Sequence, residues 1–267
     1  MATVNPNRLR WGACAWLLTL QFFVVESLAQ ARYAGPYSRA DDVVSALGAA
    51  DSAARALMNA SFVVQGALIL AGALLLRPVL HRGASQVAPV LVGAAALGVL
   101  LVGVFPLDGN AALHAVGAGL YFVGGGLGLI ALAYAVRHRS EALGTALALL
   151  GLVGTAATVF FLAGVTSYLG EGGTERVAAY VLPIGLALAG GALWRLGRRP
   201  AGDAGATRRE QRELARQEQA ERNRRRDEAL EAAVRRPETR HPDTGAAGHD
   251  DDQEDGDPWA ASTRRGD

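Results

Sequence analysis

The sequence has one cysteine, Cys14, among 267 residues, and no lysine. A single thiol excludes an internal disulfide, and five histidines beside one cysteine exclude a zinc framework built on paired Cys ligands. No Walker-type loop and no G-x-S-x-G elbow occur, and the many glycine runs lie inside apolar segments, where they pack helices instead of cradling phosphates. Neither a metal nor a cofactor is expected. All 26 basic residues are Arg, which together with 33 Gly and abundant Ala is the composition of a GC-rich, bacterial genome.

What is present is segregated. Hydrophobic residues make up 51% of the chain and charged residues 19%. Residues 1–200 carry 13 Arg against 8 acids, and residues 201–267 carry 13 Arg against 17 acids. An ordinary soluble enzyme is excluded, and a membrane part followed by a water-exposed tail is implied. Six segments are long and apolar enough to cross a hydrocarbon core of about 30 Å as helices. They run from Trp11 to Ala29, Leu57 to Leu80, Val87 to Pro106, Leu113 to Val136, Ala142 to Val165 and Val177 to Leu196.

Arg in short loops resists translocation and sets the direction of threading. One side collects Arg8, Arg10, Arg77, Arg82, Arg137, Arg139, Arg195, Arg198 and Arg199; on the other, Arg32, Arg39 and Arg55 face Asp41, Asp42 and Asp51, and Arg176 sits beside Glu171 and Glu175. The expected fold is all-α: an integral membrane bundle of six transmembrane helices over residues 1–200, with both termini cytoplasmic in the plasma membrane. A small-x-small pattern at Ala29-Gln30-Ala31 also admits a cleaved signal peptide, against which stand the length of the apolar run and Glu26 within it. Residues 201–236 alternate Arg and Glu, a charged segment that can be helical through pairs three and four apart. Residues 237–267 are acidic and rich in Gly and Pro, and are expected to be disordered.

Polar groups within spans are costly to expose to lipid and therefore mark contacts or sites. His114, Gly117, Tyr121, Gly124 and Gly128 follow spacings of three and four and form one stripe on the fourth span. Gly117, Gly124 and Gly128 are read as helix-packing positions, as is Gly151 on a comparable stripe of the fifth span with Gly144, Thr155 and Thr158. The two stripes are candidates to pack together. By the threading, Glu26, Asn59, Asp108 and His114 gather near the outer interface; with Tyr121 they are the candidate ligand-binding residues. A carboxylate six residues before a histidine, across a short turn, can orient the imidazole. The same groups can equally tie down loop backbone.

The stretch from Met58-Asn59-Ala60-Ser61-Phe62 to Gly66, then Val102-Gly103-Val104-Phe105-Pro106-Leu107-Asp108 and His114-Ala115-Val116-Gly117-Ala118, resembles the membrane protein family of domain of unknown function 998. The resemblance covers about residues 11–196, leaves out the tail, and implies a bundle of about six helices with Asn59, Asp108 and His114 at motif positions. It implies no activity. The leading expectation is a non-enzymatic module that binds a lipid, a small amphiphile or a membrane-protein partner at the outer polar cluster. Alternatives are a membrane-embedded hydrolase or lipid-modifying enzyme using Asp108 and His114, and a small transporter coupled through Glu26. Membrane lipids are the expected partners, and no specific nucleic acid is.

Overall fold

A computed structural model describes residues 5–80, 84–198 and 201–234. The helices are α1 (Pro6–Leu18), α2 (Gln21–Gln30), α3 (Arg55–Leu76), α4 (Ala84–Val104), α5 (Ala111–Val136), α6 (Glu141–Leu162), α7 (Gly170–Arg198) and α8 (Ala201–Val234). Among the described residues the only β pairing is one isolated bridge, Tyr33 to Ser52. α1 and α2 together form the first of six helical segments of membrane-crossing length, and α3 to α7 supply the others, with mean hydropathy from 1.5 in the first to 2.5 in Gln86–Val104. The sixth starts seven residues before the predicted Val177. Glu171, Glu175 and Arg176 interrupt the hydropathy of its first turns, but partners described below hold the last two inside the helical segment.

The spans form a ring in chain order. α3 packs on α1, α4 on α3, α5 on α4, α6 on α5 and α7 on α6; α7 then closes on α1 and also touches α5. The short connections from α3 through to α7 make those consecutive spans antiparallel neighbours, and a longer connection joins α2 to α3. α7 is the innermost, with 61% of its apolar window buried, and α6 the outermost, with 28%. Apolar side chains such as Val90, Leu149, Leu152 and Phe160 point outward, as a lipid-facing surface requires. Inside, Leu129 and Leu132 of α5 are fully buried, as are Leu182 and Leu186 of α7. Lipid tails are as apolar as these leucines, so close packing, more than burial itself, holds the helices together.

Glycine sets how closely α4 and α5 approach. A Cβ at Gly98 would overlap the Tyr121 nitrogen and the Gly117 carbonyl oxygen, and one at Gly124 would stand 2.8 Å from the Leu91 carbonyl. Gly128 lies against Val92. The stripe of Gly117, Gly124 and Gly128 therefore faces α4. α6 meets α5 through a different strip, where Gly151 lies against Gly126 and Ile130, and Gly126 against Thr155. The two glycine stripes do not pack on each other. Residues 124 and 126 are about 200° apart around a helix, which gives α5 one small-residue seam for each neighbour.

Two helix irregularities position side chains. Around Thr19 the first span tightens into i to i−3 bonds, with Thr19 N on the Trp16 carbonyl and Phe22 N on Thr19, while Thr19 Oγ1 donates to Trp16 O at 2.6 Å. A side chain competing for backbone carbonyls in this way bends a helix. In α7, Pro183 has no N–H for the Ala179 carbonyl four residues earlier, and the Tyr121 hydroxyl donates to that carbonyl at 3.0 Å.

The chain divides into two compact units between Ala204 and Gly205. In α8, residues 213–232 are exposed, and Arg222 pairs with Glu218 one turn away at 3.8 Å. The acidic segment 237–267, like His81, Arg82, His241 and His249, lies outside the described residues.

Candidate functional site

The connection between α2 and α3, residues 31–54, folds back over one end of the ring as a cap. The Tyr33–Ser52 bridge closes its base, and a 3₁₀ turn at Val44–Gly48 inserts Val44 and Leu47 into the core. Two sets of polar groups pin it.

The first set joins the cap to α3, α4 and α5. Pro106 and the following turn end α4, and Gly109 N–H bonds the Pro106 carbonyl, so the Phe105 carbonyl has no helical partner. His114 takes it, with Nδ1 2.9 Å from Phe105 O; since a carbonyl only accepts, Nδ1 carries the proton. Asp108 turns the other way: it accepts from Ala50 N at 3.0 Å and pairs with Arg55 at 3.6 Å. Asn59 donates to the Gly48 carbonyl at 2.9 Å, and a Cβ at Gly48 would collide with the Asn59 side chain. Asn59, Asp108 and His114 thus surround one joint, yet Asp108 and His114 do not bond each other. Two of the three bond the cap and the third secures the end of α4.

The second set lies across the ring and centres on Glu26, 1% exposed near the end of α2. Arg176 of α7 donates Nε to Glu26 Oε1 at 2.9 Å, Tyr180 donates its hydroxyl to Glu26 Oε2, and Arg39 stands 3.5 Å from Oε1. The rest of the Arg176 guanidinium holds the cap: Nη1 donates to the carbonyls of Arg39 (2.7 Å), Asp42 (2.8 Å) and Gly172 (3.1 Å), and Nη2 to the Tyr37 hydroxyl. The Tyr37 ring stacks against this cation, 5.5 Å from its centroid, and burial pushes the phenol above its ordinary pKa while Arg176 pulls it back. Gly170 and Gly172 let α7 approach the backbone of Ala40 and Asp42, where a Cβ would run into a carbonyl oxygen. Gly170 also has a φ of +74°, a conformation that favours glycine.

Between these clamps is a cavity. Its walls are Phe22, Val44, Phe62, Val99, Val102, Ala118, Tyr121, Phe122 and Ala179, with Ser45, His114 and Glu175 as polar lining, and its volume is about 30 Å³. That is room for about two water-sized groups. Tyr121 contributes its ring, since its hydroxyl is engaged by Ala179. His114, 6% exposed, has Nε2 without a bond to any described protein group, and Glu175, 7% exposed, accepts at Oε2 from the Val44 N–H. Deeper in the bundle Gln21, Ser61 and Gln65 are linked, Ser61 Oγ to Gln21 Oε1 at 2.9 Å and Gln21 Nε2 to Gln65 Oε1 at 3.2 Å. Gln65 Nε2, fully buried near the Tyr121 phenol, makes no normal hydrogen bond. Among the described residues no group of three His, Cys, Asp or Glu side chains could hold a metal.

Of the residues singled out by sequence, His114 and Tyr121 line this cavity, Glu26 lies in the clamp beside it, and Asn59 and Asp108 fasten the cap above. Sequence reasoning passed over Ser45, Glu175 and the true partner of Arg176. Glu175 was the one with a signal: it falls on the face of α7 that also carries Ala179, four residues on and turned inward.

No curated protein and no solved structure matches the chain. A family model does, over residues 17–192, from the first span to near the end of α7: protein of unknown function (DUF998). The match contains the cap, both clamps and the cavity, and it covers well over half of the sequence. The chain therefore belongs to the DUF998 family.

Proposed function

We propose that this protein is a plasma-membrane binding module, without catalytic activity of its own, that takes a small lipid or other amphiphile in the cavity beneath the cap. Both termini face the cytoplasm in this reading and the cap faces outward. The observation that carries it is a cavity walled by aromatic and aliphatic side chains, into which two buried titratable groups, His114 and Glu175, are turned. An apolar pocket with a few convergent polar groups is the usual form of a small-molecule site. The hydrolase alternative drew on Asp108 and His114 as an acid/base pair, but Asp108 is engaged by Ala50 and Arg55. The transporter alternative needs a polar path onward, whereas beyond Gln65 the fully buried large side chains include Trp16, Ile69, Leu76, Leu129 and Leu132.

The test is extraction of the full chain into polymer-bounded discs, followed by mass spectrometry of bound amphiphiles. Ala118→Phe, which fills the cavity, serves as the comparison. The wild type is expected to retain one amphiphile class in near-stoichiometric amount, and the folded variant to lose it. The same amphiphile on both proteins, or none on either, would remove the cavity from function.

A further inference from the structure

Among the polar groups lining the cavity, donors are few, the Ser45 hydroxyl being one. His114 donates its Nδ1 proton to the Phe105 carbonyl, and in the neutral imidazole the other nitrogen presents a lone pair. The Tyr121 proton is on Ala179. Glu175 has one donor, the Val44 N–H at Oε2, and no other hydrogen-bond donor among the described residues reaches it. The obvious counter-ion is the next residue, Arg176, but consecutive helical side chains diverge by about 100°. Arg176 is held by Glu26, Tyr37 and three carbonyls, and Arg39 by Glu26, Gln30 and Tyr180. These two guanidinium groups are thus gathered around Glu26, and Arg55 is paired with Asp108. Glu175 is left as a carboxyl group lining an apolar cavity, where its charged form is costly without a cation.

We propose that the cavity is a site for a primary ammonium group carried on a hydrocarbon chain, with Glu175 as its counter-ion. This rests on the amphiphile-binding reading above and names the chemistry of the ligand. A primary ammonium has three N–H donors, and the cavity offers three acceptors: Glu175 Oε1, His114 Nε2 and Ser45 Oγ. Phe22, Phe62 and Phe122 supply rings for the adjoining methylenes and, face-on, for the cation. A cavity volume of about 30 Å³ suits a small ammonium head, and a trimethylated head has no N–H to donate.

The source of the ammonium is either an aminophospholipid headgroup or a free long-chain amine, and one experiment separates them. The full chain in phosphatidylcholine nanodiscs is titrated with decylamine, decanol, decyltrimethylammonium and decanoate, following thermal midpoint and native mass spectrometry. Decylamine is expected to bind saturably and at least tenfold tighter than the other three. Glu175→Gln should abolish that preference, and Ser45→Ala should reduce it severalfold. If discs containing phosphatidylethanolamine compete with decylamine, the ligand is a lipid headgroup; if decylamine binds unaffected by them, it is a free amine. Decanol binding as tightly as decylamine, with Glu175→Gln unchanged, would overturn the ammonium assignment and leave an amphiphile site standing. Saturable binding by none of the four would overturn both readings. The ligand series on the wild type alone decides between these results even if Glu175→Gln fails to fold.

Discussion

Arg176 and Glu26 are 150 positions apart, both at most 5% exposed, and joined at 2.9 Å. A buried pair of this kind makes a strong prediction about single and double changes, because removing one partner strands the other charge. Glu26→Gln or Arg176→Met should each lower stability by about 3–5 kcal/mol, while the double variant should lose clearly less than the sum of the two. Reversible thermal unfolding in mild detergent would measure this, and additive losses would mean that the charges act independently. Loop composition made Arg176 look balanced by Glu171 and Glu175, since residues close in sequence are the first candidates for charge pairing. The helix sends Glu175 and Arg176 in different directions, and only the ring closure of α7 on α1 brings Glu26 to hand. For Tyr121 the stripe was legible but its partner was not. That partner is a carbonyl freed by a proline 62 positions away, on a helix whose contact with α5 no local pattern announces.

Elements were more legible than their neighbours. Six apolar runs of membrane-crossing length leave little freedom to the hydropathy argument, and the boundaries move where capping and buried polar residues extend a helix, as at Asn110 before α5 and Glu175 in α7. A glycine stripe announces a close contact without naming the helix that makes it; here Gly117 and Gly124 fit against α4, and Gly126 fits against α6. The α4–α5 seam can be tested with a contrast inside one pair of helices. Gly98→Ala drives a Cβ into backbone that cannot yield, whereas nothing lies within 4 Å of a Cβ at Gly119. The first variant should be destabilised by about 1–3 kcal/mol, the usual cost of overpacking. The second should be neutral or slightly stabilised, since alanine is the better helix former. Equal thermal midpoints for the two would show that the helices separate at little cost and that the glycines do not set their approach.

At the scale of the whole molecule the two ends of the ring differ in charge. The capped end carries Arg32, Arg39, Arg55 and Arg176 with Glu26, Asp41, Asp42, Asp51, Asp108, Glu171 and Glu175; the opposite end carries Arg8, Arg10, Arg77, Arg137, Arg139, Arg195 and Arg198 with Glu141 alone among the described acids of α1 to α7. Threading and charge are separate arguments, the first from helix order and the second from composition, and both sort the loops in the same way. If Arg retention fixes direction, the capped end is translocated and the Arg-rich end stays in the cytoplasm. With Cys14 replaced by Ser, single cysteines at Ala34 and Glu171, both exposed at the capped end, should react with a membrane-impermeant maleimide in intact cells. One at Ser140, in the turn between α5 and α6, should react only after the cells are permeabilised. The reverse pattern would place the cavity on the cytoplasmic side and change which amphiphiles can reach it. Labelling of all three from outside would mean that chains insert in both directions, a result that the charge difference between the ends argues against.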